Sequence, residues 1–246
     1  MQHAYDAAFM EYTERTSRHS AQLIVRVLRE VLSPQSVLDV GCARGTWLNA
    51  WREAGAEDAF GVDGEYLDAA TLAIAPERFR AADLSRPLDL GRQFDLVQSL
   101  EVAEHVPAAA APQFVENLVT HSRGVVLFSA APPGQGGEFH VNEQPYDYWR
   151  ALFARHGFAA HDYVRPRIAG DTSVSFWYRF NILLYVRDGV ELPAAVRSTR
   201  IADGVPVTDL SPALFRLRKL AIRGLPYAWQ QGLARFKARV LRTGRF

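Results

Sequence analysis

Three side chains that can move protons or bind a metal ion lie close together near the middle of the chain. Glu101, Glu104 and His105 follow an apolar run that ends at Leu100. On a helical turn, the spacings i, i+3 and i+4 bring all three to one face. Two carboxylates and an imidazole so close together repel or compete unless a positive charge lies between them, and mixed oxygen and nitrogen ligands suit Mg²⁺ or Mn²⁺. The cluster predicts a divalent metal site, or a metal-free site whose imidazole orients a substrate or accepts a proton.

A glycine loop precedes this cluster in the chain. Residues 37–48 have the pattern of a buried strand, a tight loop containing Gly41 and Gly45, and the start of a helix. Glycine lets the backbone approach a ligand closely, and the carboxyl end of the first strand is where open α/β sheets bind ligands. The loop lacks both the Gly-Lys-Ser/Thr ending of a P-loop and the Gly-x-Gly-x-x-Gly spacing of a dinucleotide site. This argues against phosphate binding.

The elements that must position these residues alternate between short β-branched runs and helical patterns. We predict strands over 36–40, 59–62, 79–82, 94–99 and 124–128, and helices over 4–32, 46–54, 65–73, 109–122 and 147–156. Such alternation indicates parallel strands joined by crossover helices. Two further strands, over 161–165 and 180–186, have no predicted helix between them and are expected to pair antiparallel. The predicted fold is α/β, with a mostly parallel seven-stranded sheet, helices on both faces and an antiparallel last strand.

The composition is that of one globular domain, because 48% of the 246 residues are hydrophobic and 22% are charged. These values exclude a disordered chain, a collagen and a coiled coil. The single cysteine, Cys42, excludes a disulfide framework and a zinc site with paired thiolates, and it suits a reducing compartment. No stretch approaches the length of an apolar membrane span, and the start lacks the pattern of a secretion signal. We expect a cytoplasmic protein.

Charge is distributed unevenly along the chain. Residues 211–246 contain nine Arg and Lys and no Asp or Glu, so 19 of the 28 basic and all 27 acidic residues precede them, a net charge of −8. We predict an N-terminal helical lid or cap over 1–33, a core over 34–190, a linker over 191–210 and a basic amphipathic helical tail over 211–246. The lid would include Tyr5, Phe9 and Tyr12, with His19 and Ser20 beside them.

The tail admits three roles. Its Trp229, Leu233, Phe236 and Val240 form one apolar stripe at helical spacing. It can pack against the body or a second copy in a homodimer, bind anionic lipid at the inner membrane surface, or bind nucleic acid. Nucleic acid is the least expected partner, because the acidic body would repel phosphates.

Four motifs in register resemble those of the class I S-adenosylmethionine-dependent methyltransferases. They are DVGCARG at 39–45, GVD at 61–63, AADL at 81–84 and FDLV at 94–97, and Ala43 replaces the middle glycine of the family's loop. The resemblance implies a Rossmann-like fold and S-adenosylmethionine as cofactor, with Asp63 accepting both ribose hydroxyls and Asp83 meeting the adenine amino group. The residues implied to bind the cofactor are Asp39, Gly41, Cys42, Ala43, Gly45, Trp47, Asp63, Gly64, Asp83, Leu84, Ser99 and Leu100.

The Glu-x-x-Glu-His pattern at 101–105 is similar to that of two methyltransferase groups that use a divalent metal. They are the enzymes that methylate the 3′-terminal ribose of small RNAs and the O-methyltransferases of ubiquinone synthesis. In the RNA group a further histidine follows the fifth strand, and His140 occupies that loop here. The resemblance implies Glu101, Glu104, His105 and His140 as ligands of Mg²⁺ or Mn²⁺, with the last three at the reaction centre. Without a metal, His105 or His140 would act as general base.

We expect a hydroxyl oxygen as the methyl acceptor. An aliphatic hydroxyl ionises too weakly near neutrality to attack a sulfonium methyl unaided, and a cation would stabilise the alkoxide. The loop over 131–145 and the aromatics after it offer amides and rings suited to a carbohydrate, namely Asn142, Gln144, Tyr146 and Trp149. Residues 5–186 resemble bacterial methyltransferases of polysaccharides and glycans, which implies a sugar or glycan acceptor, free or lipid-linked. The alternatives are a phenol or quinone O-methyltransferase and a non-catalytic cofactor-binding subunit.

Overall fold

Seven strands form one sheet at the centre of the molecule. The computed structural model describes residues 7–225, 229 and 232, without the side chains of residues 7–13, 15, 16 and 69. The strands are β1 (Ser36–Val40), β2 (Asp58–Asp63), β3 (Phe79–Ala81), β4 (Leu96–Leu100), β5 (Val125–Ser129), β6 (Phe158–His161) and β7 (Leu183–Arg187). Their order is β3-β2-β1-β4-β5-β7-β6. The first five run parallel, and β7 runs antiparallel to both β5 and β6. The predicted α/β class and sheet arrangement are confirmed.

Eight α-helices lie among the described residues, with none between β2 and β4 and two between β6 and β7. They are α1 (Ala7–Arg29), α2 (Thr46–Glu53), α3 (Ala111–Thr120), α4 (Tyr146–Ala154), α5 (Arg165–Ile168), α6 (Phe176–Asn181), α7 (Ala194–Arg197) and α8 (Ala213–Arg223). In this part of the chain, none of the helices has both the length and the hydropathy that a bilayer crossing requires.

Apolar layers cover both faces of the sheet. Along β1, Val37 belongs to a core with Trp51 of α2, and the adjacent Leu38 belongs to a second core with Phe114 of α3 and Phe153 of α4. Successive strand residues point to opposite faces, so burial on both sides explains why the central strands are almost continuously apolar.

Three predicted elements differ from the structure. Residues 65–73 contain only a single 3₁₀ turn, Ala69–Thr71, where we predicted a helix. The strand predicted over 161–165 begins earlier, and the strand predicted over 180–186 begins later, because α5 and α6 lie between β6 and β7. The aromatic residues at 176–180 favour a strand by propensity, but they form helix α6, which buries Tyr178, Phe180 and Asn181.

The segment predicted as a linker packs against the body. Val196 of α7 and Val207 are buried, and the Ile201 amide donates to the Ala160 carbonyl at 2.9 Å. The following helix α8 also docks, since Phe215 packs on Phe176 with ring centroids 4.8 Å apart. Of the predicted tail stripe, Trp229 is described and exposed; Leu233, Phe236 and Val240 lie outside the described residues, as do Tyr5 and the side chains of Phe9 and Tyr12.

A buried arginine joins β6, α6 and the segment that leads to α8. Arg165 is completely buried, and its Nε and Nη2 donate to the two carboxylate oxygens of Asp162, each at 2.8 Å. Its Nη1 donates to the carbonyls of Phe180 at 3.2 Å and Thr208 at 3.0 Å. The guanidinium therefore holds the end of α6, where Asn181 reaches the site described below.

We predict that Arg165→Met lowers the free energy of unfolding by about 3–5 kcal/mol, because it leaves a carboxylate and two carbonyls without their donor. Urea unfolding followed by circular dichroism measures this. The control is Arg86→Met, whose exposed ion pair with Asp83 contributes less than about 1 kcal/mol. Equal losses for the two variants would show that Arg165 does not hold these segments together.

Candidate functional site

The predicted site lies at the carboxyl edge of the sheet, where the strand order reverses between β1 and β4. In the loop after β1, Gly41, Ala43 and Gly45 all have positive φ. A Cβ on Gly41 would lie 2.4 Å from the Val102 side chain, which follows β4. Only glycine therefore permits the loop after β1 to pack against the loop that carries Glu104.

Asp63, at the end of β2, connects the loop after β1 to the loop after β2 through hydrogen bonds. Its Oδ2 accepts the Ala43 amide at 2.7 Å, and its Oδ1 accepts the Gly64 amide at 2.7 Å and the Tyr66 hydroxyl at 2.5 Å. Burial raises the pKa of Asp63, while these hydrogen bonds oppose the rise. The carboxylate is therefore already arranged to accept a hydroxyl donor, and the Tyr66 side chain that supplies it is 45% exposed.

Asp39 and Cys42, two titratable residues near Asp63, are buried. Burial raises the pKa of Asp39 to about 7, with Gln98 opposing the rise and the charge of Asp63 adding to it. Burial, followed by the charges of Asp63 and Asp39, raises the pKa of the Cys42 thiol well above its usual range. Cys42 is therefore a protonated packing residue and not a nucleophile.

The other predicted cofactor residues differ in exposure. Ser99 and Trp47 are buried: the Ser99 hydroxyl donates to the Val40 carbonyl at 2.7 Å, and Trp47 packs edge-on against Tyr178. Leu100 is buried and Leu84 half-buried. Asp83 lies at the surface after β3, where hydrogen bonds from Ser85 lower the pKa of its carboxyl group. Its predicted contact with adenine stays a prediction.

A second group of side chains, Glu104, His105 and His140, comes together near the loop after β1. Each offers one ligand atom, and these atoms lie within 4.8 Å of one another. The two imidazole rings meet edge to face with centroids 4.9 Å apart, and Glu104 Oε1 lies 4.0 Å from His140 Nε2. Among the described residues, the buried Oε2 of Glu104 has no hydrogen-bond partner. Burial and then the charge of Glu101 raise the pKa of Glu104 well above its usual range.

Among the described residues, Glu101 lies outside the group formed by Glu104, His105 and His140, and its role as a fourth ligand stays a prediction. The α-helical face that we predicted is absent, since only Ala103–His105 form a 3₁₀ turn and Glu101 precedes it with φ at 57°. Its carboxylate instead accepts Gln135 Nε2 at 2.8 Å and Asn181 Nδ2 at 3.1 Å.

The same amides continue into a buried polar network. Asn181 Nδ2 also donates to Gln135 Oε1 at 2.9 Å, and the Tyr146 hydroxyl donates to Asn181 Oδ1 at 2.9 Å. This network brings together the ends of β4, the loop after β5 and α6. Its side chains come from four distant segments, so sequence spacing gave no signal for Gln135 and Asn181.

Glu143 is a site residue that sequence reasoning missed. Its Oε1 lies 2.7 Å from His140 Nδ1, and its two oxygens accept the Gly136 and Gly134 amides at 2.8 Å each. A Cβ on Gly137 would lie 2.1 Å from His140 Nε2, so the segment from Gly134 to Gly137 closes tightly around the imidazole. The sequence signal that could have identified Glu143 was its position three residues after His140, where a carboxylate can orient the imidazole.

The predicted substrate residues are less accessible than expected. Trp149 is a core residue on α4, with its ring centroid 5.3 Å from that of Phe128, because the helix turns this side chain toward the sheet. Tyr146 is buried in the polar network. Asn142 is buried as well, and its backbone N–H donates to the Glu104 carbonyl at 3.0 Å. Gln144 is half-buried and donates to Asn142 Oδ1 at 3.0 Å.

Comparisons with known proteins agree with this fold. Residues 12–166 match the family described as methyltransferase domain. A search of curated protein sequences gives no significant match. An O-methyltransferase family protein from Burkholderia thailandensis shares 17% identity over 76% of this chain and 62% of its own, with a TM-score of 0.52. A small RNA methyltransferase shares 16% identity over 79% of this chain and 27% of its own, with a TM-score of 0.53.

At these identities the two solved structures show a common fold and no more. The family match covers more than half of the chain, from α1 to the start of α5. The glycine loop, Asp63 and the Glu104 cluster all fall within it. The chain therefore belongs to the methyltransferase domain family.

Proposed function

We propose that this chain transfers the methyl group of S-adenosylmethionine to a hydroxyl oxygen of a sugar or glycan, assisted by a divalent metal ion. The observation that carries the proposal is the convergence of Glu104, His105 and His140 next to the glycine loop. A methyltransferase that acts on a weakly acidic hydroxyl needs positive charge or a base at this place.

The residues after β1 and β2 fit the proposed cofactor. The loop from Gly41 to Gly45 has positive φ at Gly41, Ala43 and Gly45, and Asp63 Oδ1 already accepts a hydroxyl. The ribose hydroxyls would take the place of the Tyr66 hydroxyl. S-Adenosylmethionine supplies an electrophilic methyl group when bound, so the chain's task is to orient it toward the acceptor.

The Glu104 cluster fits a divalent metal. A buried carboxylate oxygen without a hydrogen-bond partner is costly unless a cation or donor meets it, and Glu104 Oε2 is such an atom. One carboxylate and two imidazoles are a donor set that borderline divalent ions accept. A bound ion would supply the positive charge that stabilises a developing alkoxide.

The remaining steps fall to the protein's own side chains. Glu143 would fix the orientation of the His140 ring through Nδ1, leaving Nε2 directed to the cluster. The Glu101 carboxylate is held by two amides and adds negative charge beside the cluster. In the metal-free alternative, His105 or His140 would accept the hydroxyl proton as general base.

A polar acceptor is favoured over a phenol or quinone by what surrounds Glu101. Gln135, Asn181 and the Tyr146 hydroxyl form hydrogen bonds there, and the aromatic ring of Trp149 is turned away into the core. A quinone ring would need an apolar wall, whereas amides match the hydroxyls of a sugar. This supports the proposed acceptor class even though Tyr146 and Trp149 do not act as exposed sugar platforms.

The metal proposal predicts Mn²⁺ binding that depends on Glu104. We expect the wild-type protein to remove Mn²⁺ from solution, measured by the electron paramagnetic resonance signal of free Mn²⁺, and Glu104→Gln to abolish this. Glu116→Gln, an exposed change on α3, is the control for charge.

Chelation by EDTA should abolish methyl transfer and leave cofactor binding intact. No Mn²⁺ uptake, together with full activity in EDTA, would refute the metal site.

The orienting role of Glu143 predicts a smaller effect at the same site. We expect Glu143→Gln to weaken Mn²⁺ binding by roughly 10- to 100-fold, as loss of an outer-shell carboxylate does at metal sites. The same resonance titration measures this, with Glu116→Gln again as control. Unchanged Mn²⁺ affinity with an unchanged melting temperature would show that Glu143 only shapes the loop.

The cofactor proposal predicts that Asp63→Asn weakens S-adenosylmethionine binding by about 1–3 kcal/mol, because charge-assisted hydrogen bonds to the ribose are lost. Isothermal titration calorimetry measures the affinity. Tyr66→Phe removes the competing hydroxyl, so we expect its affinity to equal or exceed that of the wild type. Unchanged affinity in Asp63→Asn would show that the ribose binds elsewhere.

A further inference from the structure

Helix α8 carries a stripe of exposed leucines. Leu214, Leu217 and Leu220 are 81%, 62% and 60% exposed, and their spacing of three residues places them along one side of the helix. Exposed Ala221 extends this side. A contiguous apolar patch of this kind marks a surface that contacts a partner or a membrane.

The opposite side of α8 is fixed to the body, so the leucine stripe faces outward. Phe215 packs on Phe176 of α6, and the Lys219 ammonium pairs with the Asp209 carboxylate. Arg218 Nη1 donates to the Gln135 carbonyl at 3.2 Å. Rotating the leucines inward would break all three contacts.

Charge identifies the kind of surface that fits this stripe. Arg216 and Arg223 are exposed and lie beside the leucines. From residue 211 to residue 246 the sequence has nine basic and no acidic residues, and the carboxylate of the preceding Asp209 is paired with Lys219. Trp229, which lies just beyond α8, is 68% exposed, and tryptophan favours the boundary between lipid and water.

We propose that α8 binds an anionic lipid bilayer, with its leucines inserted among the acyl chains and Arg216 and Arg223 against the lipid phosphates. An apolar stripe edged by basic residues is the pattern of a helix that lies in the membrane interface. Pairing of the stripe with that of a second copy is less favourable, because it would bring four arginines together with no acidic residue on either helix.

The test is cosedimentation of the full-length protein with vesicles. We expect binding to vesicles of equal parts phosphatidylglycerol and phosphatidylcholine, and weak binding to phosphatidylcholine alone. Leu214→Gln, Leu217→Gln and Leu220→Gln together should reduce binding by roughly tenfold or more, since most of the inserted apolar area is removed. Val205→Gln, at a residue that is 52% exposed and lies outside α8, is the control and should bind as the wild type.

Arg216→Gln with Arg223→Gln separates charge from apolar insertion. We expect this pair to lower affinity for the anionic vesicles by roughly tenfold, and high salt to do the same. The assay requires neither cofactor nor acceptor, so its result is independent of the proposed reaction.

Three outcomes would overturn the proposal. One is equal binding to neutral and anionic vesicles, and another is full binding by the triple leucine variant. The third is a fall in melting temperature, or a change from dimer to monomer in light scattering, caused by the triple variant, since either would show that protein covers the stripe.

Discussion

The interior position of Glu104 sets the main constraint on this site. A carboxylate buried without a partner costs several kcal/mol unless it is neutralised or meets a positive charge. Glu104 Oε2 lies in that situation among the described residues, with two imidazoles beside it. The backbone of the same residue joins two loops, because its carbonyl accepts the amides of Val141 and Asn142. Glu104 therefore has two effects: its side chain requires a neutralising group, and its backbone carbonyl holds the loop that carries His140.

Three polar connections keep the loops around Glu104 in register. Asp63 joins the ends of β1 and β2, and Glu101 joins β4 to Gln135 and Asn181. Glu143 joins His140 to the backbone of Gly134 and Gly136. Each connection uses a carboxylate whose oxygens accept N–H groups, which are stronger bonds than those between neutral partners. The loops around Glu104 are thus positioned by carboxylate acceptors and not by apolar packing alone.

The last part of the described chain belongs to the same structure. Arg165 anchors both the end of α6 and the carbonyl of Thr208, and α8 then contacts the loop at Gln135. A Cβ on Gly134 would lie 2.2 Å from the Lys219 carbonyl. Helix α8 is therefore in direct contact with the loop that carries Gln135, His140 and Glu143.

The sequence by itself determined the alternation of strands and helices, the glycine loop at the end of β1, the carboxylate that ends β2 and the order of Glu104, His105 and His140. Those features are local, because they depend on residue type, spacing and the ends of strands. The sequence did not determine which side chains face the site. Trp149 has the aromatic ring and Asn142 the amide that a sugar site requires, but packing buries both side chains.

Only the tertiary structure decided the separation of Glu101 from Glu104, the helix at 176–181 and the docking of α8. A 3₁₀ turn in place of an α-helix changes the face on which a residue at i+3 lies. Asn181, Gln135 and Glu101 meet across 80 residues of chain, and no periodicity can encode that meeting. Contacts between distant segments depend on how the layers pack, which is why spacing along the chain gave no signal for Gln135 and Asn181.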